Sequence, residues 1–145
     1  MAADEWTEHA QRVLADSGHR SGGARAAVLE LLAEQHCCVS AQEIHDSLRE
    51  RRRSAGLASI YRALDVLGQL RLVHRVDVDG VARYEPALPS GEHHHHAVCE
   101  SCGRRDAFAD AELERLIDAL AGRLGYAVQG HDVVLRGRCP QCAER

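Results

Sequence analysis

Apolar residues in the N-terminal part of the chain recur every three or four positions, which is the spacing of helices that bury one face. Four such helices are predicted before the first strand, with a glycine-containing break at 21–23 and a helix stop near Gly56. The third is expected to begin at Ser40, because Glu43 three residues later completes a capping box. The predicted buried positions are Trp6, Ala10, Val13 and Leu14, then Ala27, Val28, Leu31 and Leu32, then Ile44 and Leu48, and finally Leu57, Ile60, Tyr61, Leu64, Leu67 and Leu70.

The pattern then changes to alternation of apolar and polar residues over 72–78, which predicts a strand with one buried face. Asp79 and Gly80 favour a tight turn, and residues 81–85 are expected to return as the second strand of a hairpin. Helices followed by such a hairpin predict a winged helix-turn-helix in residues 1–85.

Residues 86–91 contain two prolines and a glycine, which disfavour both helix and sheet, and are therefore predicted to be a hinge. Residues 92–145 are expected to form a small α/β domain, so the predicted fold class of the whole chain is α+β. This domain is expected to have strands at 93–99, 106–109, 126–129 and 132–136, and a helix capped by Asp110 whose inward face is Leu113, Leu116, Ile117, Leu120 and Leu124.

Composition limits the class of protein. The formal net charge is −4, and neither half of the chain is basic, so any DNA contact requires a local patch of arginines. The N-terminus has no signal-peptide pattern and no apolar run is long enough to span a membrane, which predicts a soluble, cytoplasmic protein. In a reducing cytosol, clustered cysteines favour metal ligation over disulfides.

Two pairs of cysteines have the spacing of zinc ligands: Cys99 with Cys102, and Cys139 with Cys142. Two intervening residues let both thiolates bind one ion at about 2.3 Å, and two such pairs complete a closed tetrahedron. A closed tetrathiolate has no open coordination position, so the predicted zinc site is structural and not catalytic. A redox dithiol or a disulfide pair is the alternative interpretation.

Four consecutive histidines, His93 to His96, lead into Cys99 in a segment predicted to be extended. Side chains on a strand alternate between faces, so His93 and His95 are expected on one side and His94 and His96 on the other. This predicts two metal half-sites, with a solvated polar tract as the alternative. The first pair could bind a cation with Glu114 and His131, giving three nitrogens and one oxygen; the second could do so with His36 and Glu85 from across the hinge.

Taken together, these motifs resemble the ferric uptake regulator family along essentially the whole chain. The residues that carry the resemblance are Ser40–His45, Gly56–Leu64, Ala82–Glu85, His93–Gly103 and Arg136–Cys142. The resemblance implies a homodimer that binds palindromic double-stranded operator DNA when a sensory metal is bound, and that represses genes of metal homeostasis. No catalytic residues, small-molecule substrate or membrane association are expected.

The resemblance also implies roles for individual residues. Cys99, Cys102, Cys139 and Cys142 match structural zinc ligands; His36, Glu85, His94 and His96 match the sensory site; His93, His95, Glu114 and His131 match an additional site in the dimerisation domain. Tyr61 and Arg62 match positions of the DNA-recognition helix, and Arg20 matches a minor-groove contact. Ser59 in the recognition-helix motif and Arg25 are further candidates for DNA contact, and Arg51 to Arg53 are candidate phosphate contacts whose alternative is a solvated helix face.

Two departures from the family pattern bear on the metal. His95 stands where the family often has aspartate, which favours zinc, nickel or cobalt over iron and manganese. The four-histidine form resembles zinc uptake regulators of actinobacterial type, but the cysteine that these usually have in the hinge is missing from 86–91. Cys37 and Cys38, beside His36, are expected to be buried as small apolar residues, with thiolate ligation as the alternative.

The sequence therefore predicts a structural Zn²⁺ and a second, regulatory divalent metal, Zn²⁺ or Fe²⁺, with Ni²⁺ or Mn²⁺ as further candidates. Three other functions are alternatives. A peroxide sensor of the same family usually has oxygen-rich ligation, and only Glu85 offers that. A metal store or chaperone would leave the recognition-helix motif without a use. A zinc hydrolase would need an open site with a base, and no His-Glu-x-x-His motif is present.

Overall fold

The computed structural model describes residues 2–20 and 22–144. The chain divides into two compact units, the first ending at Glu92 and the second beginning at His93. Ser21, part of the predicted glycine-containing break, lies outside the described residues. Residues 86–91 fall within the first unit, where Leu88 packs against the core. Their role as a hinge stays a prediction.

The first unit has four helices, as predicted: α1 Ala2–Asp16, α2 Gly23–Glu34, α3 Ala41–Glu50 and α4 Leu57–Gln69. Their apolar stripes meet in one core, in which the Trp6 indole N–H donates to the Leu72 carbonyl at 2.8 Å. One predicted core position is wrong. Tyr61 is 47% exposed, because Ile60 and Leu64 already face the core and leave Tyr61 at the solvent border of α4.

The two ends of α3 differ in how well the sequence predicts them. The Ser40 hydroxyl accepts from the Glu43 N–H and the Glu43 carboxylate accepts from the Ser40 N–H, both at 3.1 Å, which confirms the capping box. The predicted stop near Gly56 is wrong. Arg52 adopts a left-handed φ of 55°, and the Arg53 N–H donates to the Leu48 carbonyl, which ends α3 with a Schellman-type turn. Gly56 instead precedes α4 as its N-cap.

The predicted hairpin is confirmed as β2 Val73–Val78 and β3 Val81–Pro86. Asp79 and Gly80 have φ values of 52° and 77°, as expected for a tight turn with two left-handed residues. A short strand that the sequence did not predict, β1 Val39–Ser40, pairs antiparallel with β3 and completes a sheet of order β1-β3-β2. Two residues are too few to show alternation.

The second unit contains β4 His95–Cys99, β5 Arg105–Phe108, α5 Ala111–Leu124, β6 Val134–Gly137 and the single turn α6 Pro140–Ala143. Strand β4 is central, antiparallel to β5 and parallel to β6. The Asp110 carboxylate accepts from the Leu113 N–H at 2.9 Å and so caps α5, as predicted.

Two predictions for the second unit are wrong. Residues 126–129 form no strand, and no residue of α5 is buried. Of the leucine face predicted to point inward, Leu113 and Ile117 are half-buried, whereas its other three residues are exposed, as is the segment that follows the helix. The exposed large apolar residues here are Leu116, Leu120, Leu124, Tyr126, Val128 and Leu135. Periodicity defines a face of a helix, but within residues 2–20 and 22–144 no second layer covers this one.

Among the described residues, no helix combines the length and the apolar character needed to cross a membrane.

Candidate metal centres and nucleic-acid interface

Four cysteines converge where β4 ends and α6 begins. Cys99 ends β4 and Cys102 follows in the next turn, while Cys139 is the N-cap of α6 and Cys142 lies within it. Gly103, with φ 77°, allows the tight turn after Cys102. The four sulfur atoms lie within 4.8 Å of one another, and the Sγ atoms of Cys102 and Cys139 are 3.8 Å apart. Two thiolates bound to one zinc at about 2.3 Å are separated by about 3.8 Å in a tetrahedron, so this cluster fits a zinc ion.

Backbone donors favour the thiolate at this cluster. The Cys139 N–H donates to Cys99 Sγ at 3.3 Å. This bond, followed by those from the backbone of Cys102 and Ser101, lowers the pKa of the Cys99 thiol to about 6. A thiolate is the form that binds metal, so the backbone prepares Cys99 as a ligand.

A second cluster brings together the nitrogen and oxygen ligands predicted from the histidine strand: His93, His95, Glu114 and His131. The Glu114 carboxylate of α5 lies 2.5 Å from His95 Nε2 and 2.8 Å from His131 Nε2. The Nε2 atoms of His93 and His131 are 3.1 Å apart. The side chain of His95 is buried, and its Nδ1 accepts from the Val133 N–H, so the backbone directs Nε2 towards Glu114.

The same contacts determine the charge state of Glu114. The hydrogen bond from His95, together with the nearby imidazoles of His131 and His93, holds the pKa of the Glu114 carboxyl below its usual range. Glu114 is therefore an anion at neutral pH, facing three imidazole nitrogens. Three nitrogens and one oxygen form a donor set that fits a divalent cation such as zinc.

The predicted sensory residues are distributed over both units. His36 and Glu85 belong to the first and His94 and His96 to the second. Glu85 lies on β3 and is buried, whereas His36 and His94 are exposed. As a common ligand set these four residues stay a prediction.

Apart from Arg51 to Arg53, five residues are predicted to contact DNA. Four of them line one groove of about 670 Å³ between the start of α2 and the exposed side of α4: Arg20, Arg25, Ser59 and Arg62. The Arg62 guanidinium donates to the Ser59 hydroxyl at 3.0 Å, and Arg25 donates to the Arg20 carbonyl at 2.8 Å. The fifth, Tyr61, is exposed on α4 and directly precedes Arg62. A local arginine patch thus exists in an acidic chain.

The arginines after α3 are placed differently from the expectation. Arg51 forms an ion pair with Glu34 at 2.6 Å and Arg53 pairs with Glu30, so both side chains contact the end of α2. Neither belongs to a solvated helix face, because α3 has already ended. Their predicted phosphate contacts would require these ion pairs to break.

One residue near the predicted sensory set was missed. His74 on β2 stands directly opposite Glu85 on β3. The signal was present in the sequence, because a two-residue turn at Asp79 and Gly80 fixes the register of the whole hairpin.

Comparison with known proteins shows the family of the chain. The ferric uptake regulator family model matches residues 16–136. The chain belongs to the ferric uptake regulator family. Members of this family are regulators of transcription and not enzymes, so the chain is a metal-responsive transcription regulator.

Individual relatives agree with the family match. The ferric uptake regulation protein of Neisseria meningitidis is 36% identical over 133 residues, which cover 89% of this chain and 90% of that protein. The Helicobacter pylori ferric uptake regulator, a structure with three functional metal binding sites, superimposes with a TM-score of 0.78 at 25% identity, covering 100% and 96% of the chains. A zinc uptake regulator in complex with zinc and DNA gives 0.67 at 28% identity, covering 99% and 97%.

Proposed function

We propose that this regulator is a repressor of metal-homeostasis genes that binds its operator DNA when a regulatory divalent cation is bound. One observation carries the proposal. The chain has an arginine-lined groove beside α4, and it also has two groups of metal ligands: the closed cysteine cluster and a second cluster of imidazoles and a carboxylate. A closed tetrathiolate suits a permanent ion, whereas nitrogen and oxygen ligands suit one that exchanges.

DNA recognition is assigned to α4. As in other helix-turn-helix proteins, this helix enters the major groove, where Tyr61 and Arg62 approach base edges. Ser59, Arg20 and Arg25 lie along the same groove and contact phosphates. The solved complex of a related zinc uptake regulator with zinc and DNA supports DNA binding by this chain.

Dimerisation is assigned to the second unit. The exposed apolar side chains of α5 and of the residues after it form the kind of surface that a monomer does not leave in water. A second copy of the chain would cover it, and a two-fold symmetric dimer matches a palindromic operator. No small-molecule substrate is involved.

The metals have different roles. The cysteine cluster holds a structural zinc ion, and His93, His95, Glu114 and His131 hold an additional ion. The regulatory site combines Glu85 of the first unit, with His36 as the ligand suggested by family resemblance, and His94 and His96 of the second. At the additional site, the nitrogen of His95 in place of a carboxylate favours zinc over iron. The regulatory metal is Zn²⁺ or Fe²⁺, with Ni²⁺ and Mn²⁺ as competitors to be compared.

Coupling follows from where these ligands lie in the chain. When one cation binds ligands from before and after residues 86–91, the segment between those ligands loses conformational freedom. The population of dimers whose two α4 helices are spaced for adjacent major grooves then rises.

Sequence-specific DNA binding can be tested with a duplex that the zinc-loaded dimer selects from a random pool. We expect Arg62→Ala to weaken binding of this duplex at least about tenfold, as for the loss of one base contact. Arg12→Ala, which removes the same charge from an exposed position on α1, should change it by less than about threefold. Equal losses in both variants, or no selected duplex at all, would refute DNA recognition by α4 and favour a metal store.

A further inference from the structure

Two adjacent thiols, Cys37 and Cys38, precede the first strand of the sheet in the first unit. Their Sγ atoms are 3.8 Å apart, the same separation as between Cys102 and Cys139 in the zinc cluster of the second unit. Cys38 is fully buried and Cys37 is partly buried. The separation equals the edge of a tetrahedron around a zinc ion with two thiolates at about 2.3 Å.

The register of the sheet places this thiol pair beside Glu85. Val39 pairs with Tyr84 and Ser40 with Arg83, and continuing this register by one residue puts Cys38 opposite Glu85. Directly opposite residues of antiparallel strands project to the same face. Cys38 and Glu85 therefore share a face, opposite to the one on which Val39 and Tyr84 join the hydrophobic core.

His74 extends this row on the other side of β3, because it pairs with Glu85 in the β2–β3 register. An imidazole on β2, a carboxylate on β3 and the thiol of the residue just before β1 thus follow one another in a row. A site with nitrogen, oxygen and sulfur donors suits zinc or cobalt. A thiolate ligand disfavours the binding of Fe²⁺ and Mn²⁺.

His36, the ligand suggested by family resemblance, is placed less favourably. It is exposed and lies three residues before the paired strand, which begins at Val39, whereas the buried Cys38 lies directly next to that strand. The β1–β3 register, extended by one residue, puts Cys38 opposite Glu85.

We propose that the Cys37–Cys38 thiol pair, and not His36, joins Glu85 as the first unit's ligands for the regulatory cation. This inference rests on the proposed function and specifies the ligands of its regulatory site. Binding releases the two thiol protons, since only thiolates bind the metal. It also makes the site selective for zinc-like cations over Fe²⁺.

The test uses the full-length dimer with its cysteine-cluster zinc retained, as verified by elemental analysis, and titrates it with Co²⁺. A thiolate bound to Co²⁺ gives a charge-transfer absorption band in the near ultraviolet, which imidazole and carboxylate ligands do not give. We expect this band in the unaltered protein and in His36→Ala. In the double variant Cys37→Ser with Cys38→Ser, the band should disappear and the Co²⁺ affinity should fall at least about tenfold.

A band that persists in the double variant, or that is lost in His36→Ala, would overturn the proposal. Because Cys38 is fully buried, the double variant could fold poorly, so a second measurement uses the unaltered protein. X-ray absorption at the cobalt edge sees only the added ion, and we expect a sulfur shell at about 2.3 Å. A shell of nitrogen and oxygen alone would refute thiolate ligation.

The two levels of the argument can fail separately. An operator response to metal that survives in the double variant, without the thiolate band, refutes the thiol ligands and leaves the proposed repressor function intact. A thiolate band without any effect of metal on operator binding supports the ligands and refutes the repressor function.

Discussion

Glu114 illustrates what a single residue contributes that a pattern cannot specify. The sequence places it off the leucine face of its helix and suggests it as a ligand with His93, His95 and His131. Its two short contacts to imidazoles and its lowered pKa depend on how β4 and α5 pack. Because the pKa is lowered, the stabilising charge is present above the ordinary carboxyl pKa and is lost only as pH falls through the lowered value.

Glu114→Gln keeps the shape of the side chain and removes its charge. We expect the affinity of the histidine cluster for Zn²⁺ to fall at least about tenfold at pH 7, because a cation loses its only anionic partner in that cluster. Competition with a chromophoric chelator, in protein whose cysteine cluster stays loaded, measures this affinity. Glu112→Gln makes the same change at an exposed position of α5 and should have no effect; equal affinities in both variants would contradict the assignment.

At the scale of elements, helix starts were predicted better than helix ends. The start of α3 depends on two polar side chains three residues apart, which are visible in the sequence. Its end depends on Arg52 adopting a left-handed conformation. Glycine is the residue that usually adopts this conformation, so the sequence favoured Gly56 as the end of the helix. A capping box is formed by two side chains that the sequence displays, whereas the turn after α3 is closed by backbone hydrogen bonds, to which side-chain identity gives little guide.

Ser40→Ala removes the hydroxyl that accepts from the Glu43 N–H. The free energy of unfolding of the first unit should fall by about 1 kcal/mol, the usual contribution of an N-cap. Urea denaturation followed by circular dichroism gives this value. Ser47→Ala, inside the same helix, should be neutral or slightly stabilising because alanine is the better helix former. A loss for Ser47→Ala equal to that for Ser40→Ala would show that the cap contributes nothing.

Helix α5 shows that the sequence can predict the apolar face of a helix without predicting what covers that face. The leucine face was predicted correctly as a stripe, but its burial in the same chain was wrong, since Leu116 is 62% and Leu120 47% exposed. Periodicity identifies which side chains avoid water and is silent about whether the same chain or another one covers them.

If a second copy covers this face, Leu120→Glu should disrupt the dimer. The charge would have to be buried in an apolar interface, and we expect the dimer dissociation constant to rise at least about a hundredfold. Gly122→Glu adds the same charge on the opposite side of α5, where a Cβ atom would meet nothing within 4 Å, and should leave the dimer intact. Sedimentation velocity distinguishes the two, and a dimeric Leu120→Glu variant would place the interface elsewhere.

At the scale of the whole molecule, the two units differ in what stabilises them. The first has a large core of buried aliphatic residues and Trp6. In the second, the buried apolar residues among those described are Val98, Cys99 and Cys139. A unit with so little core depends on its zinc ion and on association.

Removal of the structural zinc should therefore unfold one unit and not the other. After treatment with a strong chelator under reducing conditions, we expect amide hydrogen exchange to become fast from residue 93 onward and to stay slow in α2, α3 and α4. Mass spectrometry of peptides reports each unit separately, and added zinc should restore protection. Simultaneous loss of protection in both units would contradict independent stabilisation.

Family and fold class were predictable because the cysteine pairs, the histidine run and the recognition-helix motif are short, local and specific. The regulatory metal was not, because its selectivity depends on which side chains from distant parts of the sequence become ligands together. His36 was suggested by its position in the family pattern, whereas the β1–β3 register points to Cys38.

The central claim is that binding of a regulatory cation is coupled to DNA binding. Fluorescence anisotropy with the selected duplex, in protein that keeps its structural zinc, measures the ratio of operator affinities with and without the second metal. We predict a ratio of at least about ten for the unaltered protein and of about one for His94→Ala, whose zinc content and fold are retained. A ratio of one in the unaltered protein, or an unchanged ratio in His94→Ala, would contradict the claim.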